Sequence, residues 1–525
     1  MARQNSELHP PDRGVLVLAV TLYAVGLVAR VWPFFDGPLM YLQRFPSEDG
    51  YFMLTIGRNL ALGKGFSTAD GTIATNGTQP LTTLLWAACF ALVGGSRNAG
   101  VLLVLLLEIT LSVVAAYALW RLGSLALRGR REGANAALLA SAVWFASPLV
   151  VSHSMNCLET GAYALTVIWC AHALVSLESL DAGALHLRRA AAFGVLLGVT
   201  FWTRNDAVFV ISAACVAHTV LGFGEPREQL RARLLRCLVF GGVSVLVAAP
   251  WLTYNYVGFG SIVPVSGRAE QLTGEAGTNV LTALTTLFEY AGMVLPIPQL
   301  VQNDLRLAGC ATLLLLLLLL AVFRAARTAR QYERTLLLFA VAFGSLLAGY
   351  YGLFFGARWF VQRYLFPLSP FFALLFALIL LRMRRVLLDS QQRTLVPLAS
   401  VAMVALVVGL HVRSAILYRE HPHFQVVRWV KQHVPEATWI GAIQTGTLGF
   451  YHDRTLNFDG KVNPAAYQAL IDHRRPEYVV TTPVQYLADW SGIADWLREK
   501  AISDNFELII RDEGQQLGVL ARKPP

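Results

Sequence analysis

SEDGYFMLTIGRNLALGKGFSTADGTIATNGTQPL, residues 47–81, is a polar island in a chain that is otherwise mostly lipid-soluble. It follows the first membrane-length apolar run and opens with two adjacent carboxylates, Glu48 and Asp49. Apolar residues then recur at helical spacing up to Gly63 or Gly65, which reads as an amphipathic helix lying in the membrane interface. The two acids would sit at the start of that helix, where its dipole favours their ionised form. Capping alone would account for them. A reacting group would also account for them, because an acid beside a span has little packing value and a high desolvation cost.

The composition around the island sets the class. The chain has 525 residues, 55% hydrophobic and only 14% charged. A soluble protein of that length could not hide so much apolar surface, so a polytopic membrane protein is expected, with the lipid bilayer as its first partner. The net charge is +10. The arginines fall in short loops between apolar runs, however, so membrane topology explains them better than a nucleic-acid-binding face. The cysteines are scattered and no C-x-x-C occurs, which supports neither a disulfide framework nor a zinc site.

A membrane-crossing helix needs about 20 apolar residues. Roughly eleven runs qualify by that measure, near 14–35, 99–120, 135–152, 158–179, 188–203, 206–223, 237–256, 304–324, 335–357, 364–381 and 394–416. The apolar segment 78–95 is placed as a helix in or near the outer interface. With it out of the count, the basic loops around Arg128, Arg188, Arg231, Arg327 and Arg384 all fall on the N-terminal side. The positive-inside rule then predicts a cytoplasmic N-terminus and an extracytoplasmic C-terminus. This gives a transmembrane domain over 1–416, with a first external loop over about 36–98, and a separate domain over 417–525.

In that last domain, strands are expected over 439–445, 454–458, 476–482, 506–512 and 516–522, and helices over 423–434, 463–475 and 486–501. Their alternation argues a small α/β domain.

Further polar clusters lie between the runs. Glu159, in SHSMNCLETG (152–161), falls on the same predicted side as Glu48 and Asp49, and two acidic sites there could share a metal or divide acid–base work. TRND (203–206) places Arg204 beside Asp206, as a local ion pair or as a contact for an anionic ligand. ARWFVQRYLFP (357–367) sets Arg358 and Arg363 among aromatics, as a snorkelling belt or as a clamp on lipid phosphate. The loop 257–303, with Arg268 and Glu270, is a substrate cover or an ordinary connector. Segment 441–463 lacks a nucleotide-binding motif. Its Asp459 and Lys461 follow a strand, a common place for ligand contacts and equally for tight-turn chemistry.

Taken in order, SEDGYFMLTIGRNLALGKGF, TNGTQPL, MNCLETG, TRND, PWLTYNYVGFGSIVP and RYLFP resemble the GT-C superfamily of polytopic glycosyltransferases that use polyprenyl-phosphate sugars. The likeness covers most of 14–525 and is similar to bacterial protein mannosyltransferases and arabinofuranosyltransferases. It implies a mainly α-helical polytopic protein of a bacterial inner (cytoplasmic) membrane, with a small extracytoplasmic α/β domain at its C-terminus. It also implies inverting transfer of a hexosyl or pentosyl group from a polyprenyl-phosphate-linked donor to a hydroxyl of a glycan, lipid or protein acceptor.

In the same way, the resemblance implies a catalytic base at Asp49, with Glu48 as its partner or replacement, and a second acid at Glu159. Arg358, Arg363 and Arg204 would contact the donor phosphate, and Tyr51, Asn76, Gln79, Arg268, Asp459 and Lys461 are candidate substrate contacts. No fixed cofactor is implied, and a divalent metal has room in the scheme. Glu at position 48, where Asp is more usual, leaves the division of roles between 48 and 49 open. The competing readings are a transporter or flippase, whose charges would normally lie near the bilayer midplane, and a non-catalytic scaffold that binds envelope glycans.

Overall fold

The computed structural model describes residues 11–37, 39–180, 185–272, 274–293, 304–327, 329–390, 393–418, 420 and 423–524. The stretch 294–303 of the predicted loop 257–303 lies outside the described residues, as do positions 419, 421 and 422 beside the expected domain boundary.

All eleven predicted runs contain helix, and the described residues do not confirm the count of eleven spans. Among the described residues, seven helices are long and apolar enough to cross a membrane: Arg13–Phe34, Arg97–Ala126, Thr160–Glu178, Arg227–Phe259, Gln331–Leu353, Arg358–Asp389 and Leu395–Ile416. The pair Gly133–Ala146 and Pro148–Ser154 makes an eighth if counted together. It bends by 63° because Pro148 forces the preceding Ser147 into an extended conformation (ψ 129°). Helix Leu187–Thr203 carries Arg188 and Arg189 in its first turn and has only 17 residues, Asn205–Val220 is a shorter apolar helix, and Leu305–Ala326 runs for 22 residues. The helices share one core around Trp144, Phe240, Phe339 and Phe343. Leu395–Ile416 lies at the rim, burying Val407 and exposing Leu398, Val401 and Ile416, as a lipid-facing helix should.

Ion pairs gather three of the basic loops at one end of this bundle. Arg384 meets Asp12 (2.9 Å), Arg385 meets Glu132 (3.2 Å) and Arg130 meets Glu333 (2.5 Å). The polar island lies at the other end. Ser47 caps the helix Glu48–Ala61 by accepting from Gly50 N at 3.0 Å. This helix is not the interfacial amphipathic element that its sequence suggests. Residues 50–57 are all buried, because the helix is enclosed by the Pro80–Leu92 helix on one side and the C-terminal domain on the other. A short hairpin, β1 (Ser67–Thr68) and β2 (Ile73–Ala74), follows it.

The C-terminal domain is built on β3 (Ile440–Ala442), β4 (Thr455–Asn457), β5 (Tyr486–Asp489), β6 (Phe506–Asp512) and β7 (Leu517–Arg522), in the order β4-β3-β5-β7-β6. The first three run parallel, and β7 is antiparallel to β5 and β6. Alternate strand residues feed two apolar layers: Leu487 and Leu520 pack with Val479 and Phe506, while Ala488 and Val519 pack with Val426 and Val430. Two expectations are exchanged here. Residues 476–482 form the helix Arg475–Thr481, started by Pro476 in its first turn, and Tyr486–Asp489, expected within a helix, is the central strand. Both segments are short and apolar, so only their partners in the sheet decide between helix and strand.

Candidate active site

The two carboxylates of the island part company at once. Neighbouring residues on a helix project about 100° apart. Glu48 turns toward the C-terminal domain and accepts from Gly446 N (2.5 Å) and Thr447 N (3.1 Å), at the first turn of the helix Gly446–Tyr451. Asp49 turns toward the membrane helices and accepts from Arg363 Nη1 at 2.6 Å. Its side chain is 19% exposed and faces a cavity of about 350 Å³.

The cavity is walled by ends of elements that are distant in sequence. Thr160–Glu178 offers Glu159 at its N-terminus, and the turn after Leu187–Thr203 offers Arg204 and Asp206. Gln331–Leu353 offers Tyr350 and Tyr351, the short helix Val361–Leu365 offers Arg363 and Tyr364, and Val265–Gln271 offers Glu270 and Gln271. Phe52, Met53, Leu158, Phe209 and Pro264 give it apolar patches. Lys461 enters from the C-terminal domain, in the loop after β4.

Charge is arranged in three sets. Asp49 pairs with Arg363. Arg204 meets Asp206 (2.8 Å) and Glu159 (3.7 Å) and donates to the Tyr351 hydroxyl (3.1 Å), which in turn donates to Asp206 (2.7 Å). The rings of Tyr163 and Tyr364 flank its guanidinium, at 5.3 and 5.0 Å. Lys461 pairs with Glu270 at 2.7 Å.

Burial pushes the Asp49 carboxyl up, but Arg363 and Lys461 outweigh it and hold the group below its usual value, so it is ionised at neutral pH. Burial pushes the Asp459 carboxyl up to about 6. Arg363 Nε, Asp206 Oδ1 and Gln79 Oε1 are buried without a hydrogen-bond partner, and all three residues line the cavity. Unfilled hydrogen-bonding capacity around one cavity can be met by a polar ligand or by water.

Of the residues singled out from sequence, the cavity gathers Asp49, Glu159, Arg204, Asp206, Glu270, Arg363, Gln79 and Lys461. The others serve elsewhere. Glu48 docks the C-terminal domain. Tyr51 is buried against Phe450 and Tyr451. Asn76 is buried, accepting from Val265 N and donating to Asn255. Arg268 stacks on Tyr467 at 4.6 Å. Asp459 accepts from Lys461 N (2.8 Å) and shapes that loop. Arg358 is exposed and does not line the cavity.

Sequence reading did not propose Tyr351 and Tyr364 as site residues. Their rings stack at 4.3 Å beside Arg204, and both were hidden in stretches read as span and aromatic belt. Among the described residues, no three His, Cys, Asp or Glu side chains converge as metal ligands. Each carboxylate of the cavity already faces a cation, so the donor set does not fit a divalent ion.

A family model described as Domain of unknown function (DUF8728) matches residues 412–515. No curated protein matches the chain in sequence. Its fold is shared with solved structures. ArnT from Cupriavidus metallidurans bound to undecaprenyl phosphate aligns at TM-score 0.59 and 14% identity, over 97% of this chain and 98% of that one. The apo state of ArnT aligns at TM-score 0.61 and 12% identity, over 97% and 99%. The archaeal oligosaccharyltransferase AglB from Archaeoglobus fulgidus, in complex with an inhibitory peptide and a dolichol-phosphate, aligns at TM-score 0.55 and 11% identity, over 97% and 74%. The chain is a multi-pass membrane protein of the GT-C fold.

Proposed function

We propose that the protein is an inverting glycosyltransferase that moves a sugar from a polyprenyl-phosphate donor to an acceptor hydroxyl. One observation carries this reading: a single cavity sets an ionised carboxylate, Asp49, against a guanidinium, Arg363, at the membrane–water boundary of a fold shared with proteins solved with lipid phosphates. The cavity end faces outward, since three of the basic loops gather at the opposite end.

The donor's tail stays in lipid and its sugar occupies the cavity. The acceptor oxygen attacks the anomeric carbon and its proton passes to Asp49. The bond from that carbon to the phosphate oxygen breaks, and the lipid phosphate leaves with the electron pair. Arg363, with Arg204 deeper in the wall, stabilises the charge it carries away. One displacement inverts the anomeric centre. Glu159 holds Arg204 from the side opposite Asp206 and presents a carboxylate to the sugar hydroxyls.

The test is release of free polyprenyl phosphate from lipid-linked sugars by purified protein in liposomes, with an envelope extract as acceptor source. Wild type should release it and Asp49→Asn should not. Undiminished release by both Asp49→Asn and Glu159→Gln would reject the assignment.

A further inference from the structure

The C-terminal domain reaches the cavity through one charged side chain. Lys461 is 19% exposed and sits at the tip of the loop after β4. That loop is held in shape by its own hydrogen bonds. Gly460 N donates to Asn457 Oδ1 (3.0 Å), Lys461 N to Asp459 Oδ1 (2.8 Å) and Asn463 Nδ2 to Asn457 O (2.9 Å).

Its docking is equally tight. A Cβ on Gly77 would sit 2.2 Å from Lys461 O, and one on Gly446 would sit 1.9 Å from Glu48 O. At both places only glycine lets the two backbones meet. The domain therefore delivers an ammonium group to a fixed point in a cavity built by the membrane helices.

That point lies close to Asp49, whose carboxyl feels both Arg363 and Lys461. The groups facing Asp49 come from separate elements. They are Arg363 from Val361–Leu365 and Lys461 and Asp459 from the loop after β4, with Glu270 from Val265–Gln271 on Lys461 and Glu159 within range of Arg363. Two carboxylates, Asp206 and Glu159, balance the charge of Arg204, which also bonds Tyr351, although its Nη1, 3.7 Å from Glu159, makes no hydrogen bond. Arg363 keeps its Nε unpartnered. Arg363 and Lys461 both lie over the Phe360 ring, at 4.6 and 5.3 Å, and line the same cavity as Asp49, and a phosphate offers the oxygens to engage both.

Building on the transferase reading, we propose that Lys461 and Arg363 together hold the donor phosphate, so that the C-terminal domain completes the membrane cavity, and that the arriving phosphate draws both cations away from Asp49. In the free protein those cations make Asp49 a weak base. Sharing them with phosphate makes it a stronger one at the moment an acceptor proton has to be removed. The base is thereby armed by the donor itself.

The first test measures binding, without acceptor, of undecaprenyl phosphate in nanodiscs. Lys461→Gln should weaken it by about tenfold to a hundredfold, the loss of one charge-assisted contact. Lys461→Arg should retain most of it. Glu270→Gln should tighten it, because the competing carboxylate is gone. If the Lys461–Glu270 pair is only a structural latch, Lys461→Gln and Glu270→Gln weaken binding alike, and the proposal falls. Inorganic phosphate should fail to compete. Competition by it at comparable affinity, dependent on Lys461, would reassign the site to free phosphate and overturn the lipid donor.

The second test is the pH profile of transfer. The acid limb of kcat, which reports the complex, should lie at higher pH than the acid limb of kcat/KM, which reports the free protein. Lys461→Gln should narrow the gap by raising the latter. Coincident limbs in wild type would refute the arming of Asp49. A protein that binds lipid phosphate through Lys461 but moves no sugar would refute the transferase reading and leave this site standing.

Discussion

Glu159 and Glu178 stand at the two ends of one helix, about 28 Å apart by its length of 19 residues. Both are buried, at 6% and 4% exposure, and both face an arginine. Glu178 is closed in. Arg233 donates to it at 2.7 Å, His218 meets its other oxygen, and Gln331 donates to its carbonyl at 2.9 Å. Arg233 is satisfied in turn by Glu225. Glu159 is left open. Its arginine lies at 3.7 Å, and both residues border the cavity, where atoms of Arg363, Asp206 and Gln79 still lack partners. Buried charge of the same kind is thus a staple at one end and part of a cavity wall, the proposed site, at the other. Burial does not separate them, and neither does an unfilled atom alone, since His218 Nε2 beside Glu178 also lacks a partner; the unfilled atoms near Glu159 belong to residues that line a cavity.

This contrast can be broken from either end. The largest effect is expected at the open end. Asp49→Asn should lower transfer by about 10²–10⁴-fold while the melting temperature in detergent hardly moves. A variant that melts early would make Asp49 a staple too.

Next comes the closed end. Arg233→Met strands Glu178 and Glu225 and should destabilise the protein by about 3–5 kcal/mol, with transfer per folded molecule unchanged. Chemical denaturation paired with a transfer assay separates the two readouts.

Glu48→Gln should loosen the docking of the C-terminal domain by about 1.5–3 kcal/mol, the worth of hydrogen bonds to a charged group. Faster hydrogen exchange over Gly446–Tyr451 would record it. Glu159→Gln, with its long ion pair, should raise the donor KM by about tenfold and change stability little. Arg358→Ala should do least, within about 0.5 kcal/mol in stability and with transfer intact, since that side chain is exposed and outside the cavity.

The sequence carried the membrane class, because apolar runs of span length leave no other solution, and it carried the acidic island, because charge beside a span is conspicuous. It could not separate Glu48 from Asp49. They are adjacent, and only the elements packed around the helix decide which carboxylate meets the cap and which meets the cavity. Tyr351 and Tyr364 were invisible as site residues for a related reason, since a tyrosine inside an apolar stretch shows no sign of which wall it will line.

Lys461 stands out in the sequence for its place after a strand, but its arrival in the cavity of Asp49 depends on packing between segments about four-fifths of the chain apart. The number of spans is harder to read from sequence, because runs such as 188–203 are apolar without being long. The exchange of helix and strand between 476 and 489 arose because two short apolar segments carry the same local signal.

A cryo-EM map of the protein in nanodiscs containing undecaprenyl phosphate would test the central claim most directly. The account predicts phosphate density in the cavity, against Arg363 and within reach of Asp49, with the prenyl chain leaving toward lipid. Phosphate seated at the Glu178 end, or anywhere outside that cavity, would contradict it.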